Sequence, residues 1–183
     1  MATRGLTVTT TAALSKPVAN ATWINTSILV GSLIFMSALA ISAFFAPQWR
    51  VLHLLQGSIY IVVILMTRRL STWGFGAGAL LATFWNWLLL FRSPVGTEGI
   101  KAIGTVLRGG PPDPSTLIQL FAACGHFLII GACVAGFLRL RPTGGQWGEF
   151  IGGGVLAIGF LLVMAFTVGP PEAAVHIKQA LGF

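Results

Sequence analysis

Five long apolar runs decide what this chain can fold into. They cover residues 23–46, 51–67, 71–91, 115–138 and 150–169, and each is bracketed by Arg, Lys, Pro or Trp. A bilayer core of about 30 Å needs about 20 apolar residues per helix. Hydrophobic residues make up 55% of the chain and charged residues only 8%, against roughly a quarter charged in a soluble domain. With a mean hydropathy of +0.87, an ordinary water-soluble fold is excluded. The expected fold is all-α: a polytopic bundle of five transmembrane helices in contact with the lipid bilayer. Residues 1–22 form a Thr-rich tail with few large apolar groups, expected to be loosely ordered. Residues 23–169 form the bundle and 170–183 a surface segment. The first run is too long for a signal-peptide core, and Pro47 does not suit cleavage after Ala46, so we read it as a retained span.

The formal net charge is +7. Its cations are scattered through short connections at span ends, a distribution that suits anionic headgroups and membrane topology rather than nucleic acid. With the N-terminus inside, Arg4, Lys16, Arg68, Arg69, Arg139 and Arg141 fall on the inner side, and Arg50, Arg92, Lys101, Arg108 and Lys178 on the outer. The tight clusters Arg68-Arg69 and Arg139/Arg141 lie next to span ends, where the positive-inside rule acts most strongly. The expectation is a multi-pass protein of a cell inner membrane with a cytoplasmic N-terminus.

Residues 92–114 form the one long connection. Ile100, Ile103 and Leu107 recur there at helical spacing, with Glu98, Lys101, Thr105 and Arg108 on other faces. This predicts a short amphipathic helix in the interface plane, ended by Gly109-Gly110. Asp113 is the expected cap of the next helix, with Pro114 as its first residue. After Pro170-Pro171, a short surface helix is expected to carry Ala174, Ile177 and Leu181 down one side. Trp23, Trp49, Trp73 and Trp147 fall near span ends, at headgroup level.

The four acids, Glu98, Asp113, Glu149 and Glu172, all fall in loops or at span ends. Ion-coupled pumps and transporters usually place carboxylates at mid-membrane depth, so independent proton- or sodium-coupled transport is not expected. Hydrolase and metalloprotease motifs are absent. No catalytic residue and no metal site is expected, and the protein is not read as an enzyme. Cys124 and Cys133 lie on one helix, about 13 Å apart along its axis, too far for a disulfide.

Three sets of residues are candidates for chemistry or assembly. Gly74, Gly78, Ala82 and Asn86 form a ribbon of small residues at four-residue spacing, a surface another helix can approach closely. It could face this bundle, another subunit or a bound pigment. His53, Gln56 and Tyr60, with Thr67 beyond them, form a polar face on the second span that should turn away from lipid. His126 lies near the middle of the fourth span, where a histidine is a functional candidate by default. It is the one cofactor-binding candidate, as the single ligand of a tetrapyrrole, haem or chlorophyll-like. Pairing with His53 on a haem fails within one subunit, because the two differ in depth by about 11 Å, which leaves a single-ligand pigment or a haem shared with another chain. The glycines 152–154 and 159, with Gly131, Ala132, Ala135 and Gly136, predict close packing of the fourth and fifth spans.

Arg50-Val51-Leu52-His53-Leu54 opens the second span, Arg108-Gly109-Gly110-Pro111-Pro112 precedes the fourth, and Gly169-Pro170 ends the fifth. In these stretches the chain resembles the small-subunit region of TRAP transporter membrane proteins, particularly forms fused to the large permease subunit. The resemblance implies an accessory helical subunit. It would support a separate sodium-coupled permease and a periplasmic solute-binding protein, and it carries over no catalytic residue. The expected function is therefore a non-catalytic subunit of a multi-component transporter, with the ribbon and the polar face buried against other membrane subunits. The alternatives are a subunit of an electron-transfer or photosynthetic complex, with His126 on its pigment or haem, and a membrane module that binds a small ligand.

Overall fold

The computed structural model describes residues 22–93, 95–111 and 113–182. The expected N-terminal tail lies outside the described residues, apart from its last position. Among the described residues seven α-helices follow in order: α1 (Thr22–Phe45), α2 (Arg50–Arg68), α3 (Thr72–Phe91), α4 (Val95–Leu107), α5 (Pro114–Arg139), α6 (Gly144–Thr167) and α7 (Pro171–Leu181). A single 3-10 turn, Pro47–Trp49, leads into α2. Helices α1, α2, α3, α5 and α6 are each long and apolar enough to cross a bilayer. The chain is an all-α, multi-pass membrane bundle.

Local chemistry sets the helix ends. Asp113 caps α5 through its side chain, which accepts from the Thr116 amide, and Pro114 takes the first turn. Ser71 caps α3 in the same way, accepting from the Gly74 amide. The start of α6 departs from expectation by six residues. Thr143 and Gln146 form a capping box, which starts the helix at Gly144 despite two glycines in its first turn. Glu149 therefore lies inside α6 but close to its starting end, in keeping with the expected span-end position, and accepts a hydrogen bond from the Thr72 hydroxyl.

Helix α3 is the central element. It lies along α6 and α5 and also contacts α2 and α4, while α1 lies along α5 and α2. In hydrocarbon, burial of apolar side chains does little to hold helices together, so association depends on close contact and on polar bonds between helices. Glycine provides the close contact here. A Cβ on Gly31 of α1 would lie 2.6 Å from the Gly125 carbonyl oxygen of α5, and one on Gly125 would lie 2.7 Å from the Gly31 carbonyl. Along α3 and α6, a Cβ on Gly76 would collide with the Phe150 backbone, and one on Gly153 with the Trp73 backbone.

The expected seam between the fourth and fifth spans is not where these glycines are used. Gly153 and Gly154 face Trp73 and Leu80 of α3, while Gly131 and Gly159 meet nothing within 4 Å. With α5, α6 shares an aromatic cluster of Phe137, Trp147 and Phe150 beside the connecting turn. The two helices diverge from there.

Two short helices lie at the end of the bundle opposite the Arg68-Arg69 turn. Helix α4 is held by Ala102, which is buried, and by Gly99 against Leu120 of α5. Its expected apolar positions Ile100, Ile103 and Leu107 face outward, as an interfacial helix requires. In α7 the buried face is Ala173, Ile177 and Ala180. It is rotated from the expected Ala174–Ile177–Leu181 face because the smaller alanines let α7 lie close on the bundle, and Leu181 is left exposed.

Two outcomes are expected. Gly153→Ala should destabilise the protein by about 1–3 kcal/mol through overpacking, whereas Gly159→Ala should be neutral or stabilise it by up to about 1 kcal/mol through helix propensity; unfolding in detergent checks both. Hydrogen bonds from the Ser115 hydroxyl, then from the amide and hydroxyl of Thr116, hold the Asp113 carboxyl down at about 2, below its ordinary value of about 3.9. The cap therefore contributes fully above about pH 4 and is lost as pH falls towards 2. The protection factor of the Thr116 amide, measured relative to its intrinsic exchange rate, should fall across that window and lose its pH step in Asp113→Asn.

Candidate functional site

Four of the five spans meet at one buried polar cluster. Tyr60 of α2 is 0% exposed, His126 of α5 1%, and Asn86 of α3 and Phe35 of α1 each 4%. The Tyr60 hydroxyl lies 2.8 Å from His126 Nε2, and His126 Nδ1 lies 3.0 Å from Asn86 Oδ1. The chain ends where Asn86 Nδ2 donates to the Ala123 carbonyl of α5 at 3.3 Å.

These partners fix the direction of every bond. A backbone carbonyl only accepts, so the Asn86 amide nitrogen faces Ala123 and its oxygen faces the imidazole. His126 Nδ1 must then carry the hydrogen, which leaves Nε2 as the acceptor for the Tyr60 O–H. Donation runs one way, from Tyr60 through His126 and Asn86 to a carbonyl. The Asn86 amide does not take up and pass on a proton as an imidazole does, so the three bonds form no proton wire of their own.

Glycine contacts place the cluster. The Gly31–Gly125 approach brings α1 and α5 together one residue before His126. One turn further along α1, Phe35 then covers the imidazole, with ring centroids 4.1 Å apart. Phe35 also lies 4.7 Å from the Tyr60 ring, and Tyr60 stacks near-parallel to His126. The Gly74–Gly78–Ala82–Asn86 ribbon delivers the amide. Four-residue spacing rotates about 40° per step around a helix. The ribbon accordingly begins against Met66 and Thr67 of α2, passes between Val63 of α2 and Cys133 of α5 at Gly78, and ends against α5 at Asn86.

The expected site residues fall as follows. All four ribbon residues and Gln56 and Tyr60 are buried within this single chain, so these faces are not left for another subunit to cover. Their partners are neighbouring helices because α2 and α5 flank α3 on that side. His53 is half-buried near the start of α2, stacked on Trp49, and does not join the cluster. Thr67 donates to the Val63 carbonyl of its own helix. His126 has both ring nitrogens engaged, so a tetrapyrrole could be ligated there only by displacing Tyr60 or Asn86. The buried His53 Nδ1 and Gln56 Oε1 have no protein partner among the described residues. Among the described residues no three His, Cys, Asp or Glu lie close enough together to hold a metal ion.

Sequence reasoning missed Phe35, Gly31 and Gly125. The Gly31-x-x-x-Phe35 spacing was visible, but only the position of α5 gives it meaning.

The fold and the cluster define an integral membrane protein of five spans with a closed polar centre. Comparison with known proteins adds no family: no family model, no curated relative and no solved structure matches this chain.

Replacing Tyr60 with Phe leaves His126 Nε2 without its donor. Hydrogen bonds between membrane helices average about 0.6 and reach about 1.7 kcal/mol. Tyr60→Phe should fall towards the upper figure, since no water competes at a fully buried site. In a double-mutant cycle, Tyr60→Phe with His126→Leu should cost less than the sum of the single changes.

Proposed function

We propose that this protein is a non-catalytic integral membrane subunit, most naturally an accessory subunit of a multi-component transporter. The observation that carries this reading is the closed hydrogen-bond chain Tyr60–His126–Asn86–Ala123. It uses up the mid-membrane histidine as a structural link between α2, α3 and α5. An ion-coupled carrier would need an ionisable group in its path, and the four acids all lie towards the ends of the bundle or beyond. The resemblance in the Arg50–Leu54 and Arg108–Pro112 stretches supports the same role, with ion coupling residing in a separate permease. The partner surface in this reading is the outer circumference of the bundle, since the small-residue ribbon and the polar face are already buried inside it. The inner membrane of a cell, with the N-terminus in the cytoplasm, is the setting this role implies.

Solubilised gently from native membranes, the protein should migrate on a native gel well above its own 19.3 kDa and copurify with a larger membrane protein. A band at monomer-plus-detergent size, with nothing copurifying, would sink the proposal. The purified protein should also show no visible or near-infrared absorption band. Such a band, lost in His126→Leu, would favour the electron-transfer or photosynthetic alternative.

A further inference from the structure

We propose that the end of the bundle carrying Arg68, Arg69, Arg139 and Arg141 binds the phosphate of an anionic phospholipid headgroup. The two arginine-bearing turns are neighbours in space. Leu70 from one and Arg139 and Leu140 from the other line the same small cavity, together with Ile24 and Asn25 of α1. The cavity is about 10 Å³, room for roughly one water, so the headgroup lies across its mouth rather than within it.

The four arginines at this end are all exposed and, among the described residues, not ion-paired. Glu149, a carboxylate towards the same end of the bundle, accepts from the neutral Thr72 hydroxyl and forms an ion pair with none of the four arginines. At the opposite end Arg108 and Lys178 likewise pair with no carboxylate among the described residues, but the other three cations are engaged. There Arg50 donates to the Ala43 carbonyl, Arg92 reaches the Gln179 carbonyl and lies over Trp87, and Lys101 pairs with Glu98. Like charges gathered on two adjoining turns repel one another, and a bound phosphate relieves that repulsion.

The backbone of the two turns has one feature in common. Leu70 and Arg141 both adopt left-handed conformations, with φ of 56° and 51°. Glycine would fill such positions without steric strain, yet one turn uses leucine and the other arginine. Each left-handed residue reverses the chain just beyond a helix end and keeps its turn beside the other.

A lipid suits the site better than free phosphate. The Arg139 guanidinium lies 5.1 Å over the Trp23 ring, and Trp23, Trp73 and Trp147 all mark headgroup depth at this end. Trp23 and Leu70 are exposed apolar groups among the arginines. A phospholipid buries them, and an inorganic anion gains nothing from them.

The test uses the full-length protein in neutral detergent, with binding read by native mass spectrometry and thermal unfolding. Phosphatidylglycerol should bind and raise the melting temperature, while phosphatidylcholine and inorganic phosphate should not. Arg69→Gln with Arg141→Gln should weaken phosphatidylglycerol binding roughly thirtyfold. Arg108→Gln with Lys178→Gln, an equal loss of charge at the other end, should leave it unchanged. Equal binding of phosphatidylcholine, an equal shift with inorganic phosphate, an equal loss in the control pair, or full binding in the first pair would each overturn the site. If the first pair fails to fold, the native protein decides. Phosphatidylglycerol must protect Arg68, Arg69, Arg139 and Arg141 from phenylglyoxal while leaving Arg108 reactive, and lack of protection refutes the proposal.

Discussion

Backbone-to-backbone approach at glycine is the interaction on which this bundle depends. Lipid tails are as apolar as leucine, so the spans gain little by hiding side chains from their solvent. They gain by touching over a large area, which requires that nothing hold the backbones apart. Gly31 against Gly125 joins α1 to α5, and Gly76 and Gly153 join α3 to α6. Gly78 and Gly136 join α3 to α5, the first beneath Cys133 and the second beneath Phe75. The bulky residues then have a different role. Val155, Leu156 and Val163 of α6, like Leu54 and Leu65 of α2, are exposed on the circumference, where hydrocarbon chains cost them nothing.

The polar cluster follows from those contacts rather than adding to them independently. A hydrogen bond between helices forms only if their axes already lie close enough, and Gly125 secures this beside His126. Tyr60 and Asn86 then hold the imidazole from two sides, and Phe35 closes the third. Glycine contact fixes how near the helices are, and the directional bonds fix their rotation and sliding. A helix turned by one residue would carry Asn86 or Tyr60 out of reach and leave buried polar atoms unpaired, a larger penalty than the bond's own worth.

Much of this was legible from the residues alone. Apolar run length located the five spans, and Asp113-Pro114 marked the start of α5 to the residue. Helical rise separated His53 from His126 in depth. The same rise puts Tyr60, seven residues beyond His53, about 10 Å deeper along α2, the level at which it meets His126. The partners themselves were hidden because composition gives depth along an axis but not which helices are neighbours. The Gly152–Gly154 run announced a close approach, and only the fold could say that α3 rather than α5 receives it. The early start of α6 was hidden for a local reason. Two glycines argue against a helix, and the Thr143–Gln146 capping box outweighs them.

The interior and the two ends of this protein therefore differ in kind. In the interior the mid-membrane histidine and its partners satisfy one another, and their bonds run in a single direction to a backbone carbonyl. A site that must bind, release or conduct keeps some bonding capacity unspent, and the Tyr60–His126–Asn86 chain keeps very little. The four guanidiniums at the arginine end pair with no carboxylate among the described residues, and inside the bundle Ser32 Oγ and Gln56 Oε1 also lack a protein partner. The boundary of the bundle is where its large exposed apolar side chains and its arginines lie. Its buried hydrogen bonds keep that boundary in one shape.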